Sequence, residues 1–199
     1  MQKQVVVIHG GNTFRTYDDY FNFLKSHNLD LEKQKNGSWK ESLQSDLGDK
    51  YDVILHKMPN GFNAKYIEWK IWMDKLLPFL NDGVILIGNS LGGVFLAKYL
   101  AENDFPVKIS QVHLTAAPYD DNTRDYLEEF IAPENLEKFE KQAEKIFLYQ
   151  SEDDPVVNIA EIEKYAEKLP KAKKFIFEDK GHFNREMKIP ELIENIKNN

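Results

Sequence analysis

The chain has 199 residues, with 26 Lys plus Arg against 33 Asp plus Glu, a net charge of -7, 42% hydrophobic residues and no cysteine. That length can bury a sizeable core without covalent staples, and it favours one domain spanning residues 1–199. The missing cysteines exclude disulfides, zinc ribbons, thioredoxin-like pairs and thiolate nucleophiles, while the acidic balance argues against binding to nucleic acid or anionic lipid.

The chain opens Met1-Gln2-Lys3-Gln4 and runs through Val5-Val6-Val7-Ile8 into His9-Gly10-Gly11. The apolar run is too short for a signal peptide or a membrane span, so it is expected to be a buried first strand in a cytoplasmic protein. An amphipathic stretch follows from Tyr17 to Ser26, with Tyr17, Tyr20, Phe21 and Leu24 on one stripe. The second strand is predicted over Tyr51–Leu55. A helix over Tyr66–Leu77 should turn Ile67, Ile71, Met73, Leu76 and Leu77 inward. Further strands are expected at Val84–Ile87, Lys108–Leu114, Lys145–Tyr149 and Lys173–Phe177, with helices over Ile159–Leu169 and Ile189–Ile196. Short β-branched runs alternating with helical patterns describe an α/β fold, with a mostly parallel central sheet of about six strands covered by helices on both faces. The irregular stretch Ala117–Glu144 is the one candidate for a minimal lid.

Chemistry concentrates at Gly88-Asn89-Ser90-Leu91-Gly92-Gly93. It follows a predicted strand and precedes the helical run Val94–Leu100. A serine at such a strand-turn-helix corner sits in a strained conformation, where residues two before and two after come too close for a Cβ. The corner lifts the Ser90 hydroxyl clear of the sheet and leaves the Leu91 amide at a helix N-terminus, suited to a developing oxyanion. A nucleophilic serine needs a base, and the base an orienting acid. Both follow later strands, in Glu152-Asp153-Asp154-Pro155 and in Gly181-His182-Phe183. The order Ser, Asp, His is that of α/β-hydrolases. Asp154 is preferred because Pro155 holds it extended, with Asp153 its rival. A second oxyanion donor is expected from the backbone of Gly11 or Asn12, while His9 ties the loop. No two of the five histidines stand at ligand spacing, so neither a metal nor another cofactor is expected. Phe14, Phe62, Tyr119 and Phe183 are candidate walls of an apolar acyl pocket. Asp18, Asp19, Asp120 and Asp121, if they face that pocket, would disfavour an anionic substrate.

Taken together, His9-Gly10-Gly11, Met58-Pro59-Asn60 with Trp69, the Ser90 turn, Asp153-Asp154-Pro155-Val156-Val157 and Gly181-His182-Phe183 resemble the small α/β-hydrolases of the YdeN and retinoblastoma-binding serine hydrolase group. The resemblance implies that Ser90 is the nucleophile, Asp154 the orienting acid and His182 the base. One departure is Asn89, where such enzymes commonly carry His. The expected activity is hydrolysis of carboxylic esters or similar small acyl substrates through an acyl-enzyme. The alternatives are an acyltransferase on the same triad, or a hydrolase fold serving as a protein-interaction module.

Overall fold

The computed structural model describes residues 2–31, 35, 37–121, 126–184 and 186–198. Six strands form one sheet: β1 (Lys3–Ile8), β2 (Tyr51–His56), β3 (Val84–Asn89), β4 (Ile109–Thr115), β5 (Ala143–Ser151) and β6 (Lys173–Phe177). Every adjacent pair is parallel, in the order β2-β1-β3-β4-β5-β6. Each strand begins within two residues of its predicted start, because an all-parallel sheet covered on both faces selects near-continuous β-branched runs.

The helices among the described residues are α1 (Tyr17–Ser26), α2 (Trp39–Leu47), α3 (Tyr66–Leu76), α4 (Leu91–Glu102), α5 (Glu137–Gln142), α6 (Ala160–Lys168) and α7 (Pro190–Lys197). None of them is long and apolar enough to cross a membrane. On one face of the sheet, Trp39, Leu43 and Leu47 of α2 join Leu192 and Ile196 of α7 over Val5, Val7, Ile85 and Ile87. The other face carries α3, α4 and α6 over Val6, Ile8, Leu86 and Val112. Leaving β1, the chain moves to β2 on one side and then crosses to β3 on the other. The sheet therefore has its topological switch between β1 and β3, where open α/β sheets form their clefts.

Three segments depart from the expected packing. In α3 the inward residues are Tyr66, Trp69 and Met73, while Ile67 and Ile71 are about half exposed. Both sets have helical spacing, and the set with two aromatic rings buries more apolar area. The α1 stripe does not reach the core, since no residue of that helix is buried and Tyr17 is 70% exposed. Its rings stack instead on the Phe14 and Phe62 loops. In the stretch from 117 to 144, a 3-10 turn at Glu128–Phe130 and helix α5 press Leu127, Phe130, Leu136 and Phe139 into the α4 side of the core.

Candidate active site

Strand β3 ends at Asn89, and Ser90 makes the corner into α4 with φ 54° and ψ −122°. For a residue with a Cβ this is a costly backbone conformation, held only where surrounding contacts dictate it. Here the Ser90 N–H donates to Thr115 O of β4 at 2.8 Å, and Ser90 O accepts from Gly93 N–H at 2.8 Å. The glycines are forced by approach. A Cβ on Gly88 would lie 2.4 Å from Gly92 O, and one on Gly92 would lie 2.4 Å from Ile8 O. Helix α4 thus starts in direct contact with the ends of β3 and β1.

The loops after β5 and β6 bring the other two groups to this corner. Ser90 Oγ lies 2.8 Å from His182 Nε2, and His182 Nδ1 lies 2.8 Å from Asp154 Oδ2. The Asp154 side chain is fully buried, and that of His182 is nearly so. Asp154 is fixed on every side. Its Oδ1 accepts from the Val156 and Val157 N–H groups at 2.8 and 3.0 Å, and its Oδ2 also accepts from Gln150 Nε2 at 3.0 Å. With Oδ2 as acceptor, the imidazole carries its proton on Nδ1 and offers Nε2 as acceptor to the Ser90 hydroxyl. This chain can move a proton off Ser90. Asp153 points elsewhere: its Oδ1 accepts from Ser151 Oγ at 2.6 Å and from Gly181 N–H at 2.7 Å, bonds that hold its carboxyl below the usual range. Of the two rival acids, only Asp154 touches His182.

Two amides at the corner have no acceptor among the described residues. The Leu91 N–H is one of the orphan donors at the α4 N-terminus, and the Gly11 N–H is the other. Gly11, Ser90 and Leu91 border one small recess of about 20 Å³, room for a single oxygen-sized group. Asn12 does not share this role, because its N–H is committed to Gly61 O at 2.9 Å. The loop is braced from behind by the Met58 to Trp69 segment. His9 Nε2 accepts from Met58 N–H at 2.9 Å, Trp69 Nε1 donates to Pro59 O at 2.8 Å, and the His9 and Trp69 rings meet edge-on.

A cleft of about 670 Å³ opens at the switch between β1 and β3, with Ser90 and His182 in its wall. Phe62 lines it. Phe14 does not, and stacks on Tyr20 and Phe23 beside it. Two other candidates for the wall are core residues. Phe183 is fully buried among Trp39, Phe177 and Ile189, and Tyr119 is buried against Tyr165 with its hydroxyl on Pro133 O. Each follows a strand, but its ring turns under the sheet edge, where more apolar area is removed from water. The acidic residues are also absent from the cleft: Asp19 caps α1, Asp120 pairs with Lys164, and Asp121 accepts from Leu127 N–H. Charged lining comes from Lys40, Glu41 and Lys57 instead. Helix α2, which brings two of these, had no counterpart in the sequence reading. Its signal was present as the capping box Ser38-x-x-Glu41 with Trp39, Leu43 and Leu47 four residues apart.

Comparison with known families gives one match, to serine hydrolases, over residues 31–194. The chain belongs to the serine hydrolase family. Among solved structures, this hydrolase is similar to the YdeN gene product of B. subtilis, with a TM-score of 0.73, 18% identity, and 99% and 98% of the two chains covered. The 2-hydroxy-6-oxo-6-phenylhexa-2,4-dienoate hydrolase of Rhodococcus sp. strain RHA1 aligns with a TM-score of 0.67 at 11% identity, over 98% of this chain and 91% of that one. An esterase domain from a Rhodothermus marinus protein aligns with a TM-score of 0.58 at 17% identity, over 98% and 82%. Identities this low establish the α/β-hydrolase fold alone. Comparison with curated proteins gives no significant match.

Proposed function

We propose that this serine hydrolase cleaves carboxylic esters or similar small acyl compounds through an acyl-enzyme on Ser90. The observation that carries the reading is the unbroken line Ser90 Oγ, His182 Nε2, His182 Nδ1, Asp154 Oδ2, with 2.8 Å at each end. In this mechanism Ser90 Oγ attacks the acyl carbonyl as His182 takes its proton. Asp154 keeps the imidazole in the reactive tautomer and stabilises the imidazolium. The Leu91 and Gly11 N–H groups hold the tetrahedral oxyanion. His182 then protonates the leaving alcohol, and the same residues activate water against the acyl-enzyme. The fold relatives include both an esterase and a hydrolase named for a dienoate, so fold does not choose the bond. The cleft offers an acyl group an apolar lining of Val7, Leu55, Met58, Phe62 and Val156.

Ser90→Ala should abolish labelling by a fluorophosphonate probe and hydrolysis of p-nitrophenyl acetate. Labelling that survives in Ser90→Ala would sink the assignment.

A further inference from the structure

Asn89, the residue before the nucleophile, is a polar group in the cleft wall that the triad does not use. Alternation along β3 turns Asn89 to the α2 face of the sheet, with Ile87 and Ile85. The strands beside it contribute Val7 of β1 and Leu55 of β2 to the wall, and α2 contributes Lys40 and Glu41. Asn89 is 3% exposed, Oδ1 is wholly buried, and no described residue hydrogen-bonds to its side chain. Its Nδ2 lies 3.4 Å from where a Gly10 Cβ would stand, a point itself 3.1 Å from Ser90 Cβ. The unused amide is therefore beside the reacting serine.

A buried amide without partners is costly, and nothing in the elbow requires it. Ser90 is held through its backbone by Thr115 and Gly93, and the next glycine is set by contact with β1. A valine or leucine at 89 would pack against Val7 and Leu55 without leaving polar atoms unpaired. Thr115, paired in register with Asn89, carries a buried hydroxyl that likewise has no partner among the described residues. Polar groups left open in an apolar wall are how clefts orient a ligand.

We propose that Asn89 is a specificity-determining residue that holds a neutral hydrogen-bonding substituent on the acyl group, a hydroxyl two or three carbons along the chain. This rests on the hydrolase reading above. With Oδ1 buried, the amide offers the cleft its Nδ2 donors, which a hydroxyl oxygen can meet as acceptor. Asn89 is uncharged and forms no ion pair, so a neutral group is its match.

The test compares p-nitrophenyl 3-hydroxybutyrate with p-nitrophenyl butyrate. In the native enzyme kcat/KM should favour the hydroxy ester by about tenfold, the size of one neutral hydrogen bond. Asn89→Leu should erase that ratio, with the change mainly in KM. A native ratio near one, or a ratio kept by Asn89→Leu, overturns the proposal. Binding of 3-hydroxybutyramide against butyramide to the Ser90→Ala protein gives a reading independent of turnover and of the folding of the leucine variant. A tighter hydroxy amide there supports the Asn89 site even if neither ester is hydrolysed. Equal binding refutes it even if both are.

Discussion

Replacing Asp154 by Asn tests the central geometry most directly. The Val156 and Val157 N–H groups hold Oδ1, so an asparagine at this position keeps its carbonyl there and turns its NH₂ toward Gln150 Nε2 and His182 Nδ1. Donor then meets donor on two sides. His182 can relieve its side only by moving the proton from Nδ1 to Nε2, where it points at Ser90 and cannot accept the hydroxyl proton. In serine proteases the same exchange lowers kcat about 10⁴-fold, and a loss of about 10³ to 10⁴ is expected here, equal to about 4 to 5.5 kcal/mol of transition-state stabilisation. Stability should fall by about 1–3 kcal/mol, because Gln150 Nε2 also loses one of its two acceptors, keeping Val157 O. The assay is kcat on p-nitrophenyl acetate beside urea denaturation, with Asp153→Asn as the control. Asp153 contacts Ser151 and Gly181 but not His182, so its variant should keep kcat within about threefold. Retention of more than about a tenth of kcat in Asp154→Asn, or an equal loss in Asp153→Asn, would refute the reasoning.

Other perturbations have equally definite outcomes. Gly92→Ala places a Cβ 2.4 Å from Ile8 O and should destabilise by more than about 2 kcal/mol, read by urea denaturation; native stability would remove the steric account of the elbow. His113 is fully buried, and burial lowers its pKa to about 3. The unfolded chain therefore takes up this proton first, near pH 6.5, and its contribution to stability is lost as pH falls below that value. Between about pH 6 and 5, native stability should fall relative to that of His113→Gln by about 1 kcal/mol per pH unit; parallel profiles would contradict this. Phe62→Ala removes a 54% exposed ring from the cleft wall, so KM for longer acyl esters should rise about three- to tenfold with little change in melting temperature. An unchanged KM would place the acyl chain elsewhere.

The sheet was legible because its signal is local. A run such as Val84-Ile85-Leu86-Ile87 is too short for a buried helix and too apolar for an edge, and its place before Ser90 fixes the corner. Side-chain destination was less legible, since periodicity names faces but not neighbours. Phe183 and Phe62 are both aromatic residues in loops near the strand ends, yet one is core and the other cleft. Which is which depends on Trp39 and α2, more than a hundred residues from Phe183. The choice between Asp153 and Asp154 has the same origin. Adjacent residues in a turn point in different directions, and only the amides of Val156, Val157 and Gly181 decide which carboxylate faces the histidine. The Asn12 amide looked free for want of one fact, that Gly61 O lies 2.9 Å from it.

The three groups of the proposed catalytic line follow β3, β5 and β6, and β6 is an edge strand held by pairing with β5 alone. Of the three tryptophans, Trp39 of α2 packs with Phe183 from the loop after β6, while Trp69 and Trp72 lie on α3 at the other face of the sheet. In a refolding experiment, Trp39 fluorescence and ester turnover would therefore both report docking of the loop after β6, while Trp69 reports the other face. In a variant that keeps only Trp69, fluorescence would follow closure of the α3 face, and turnover would wait until the β6 edge has docked.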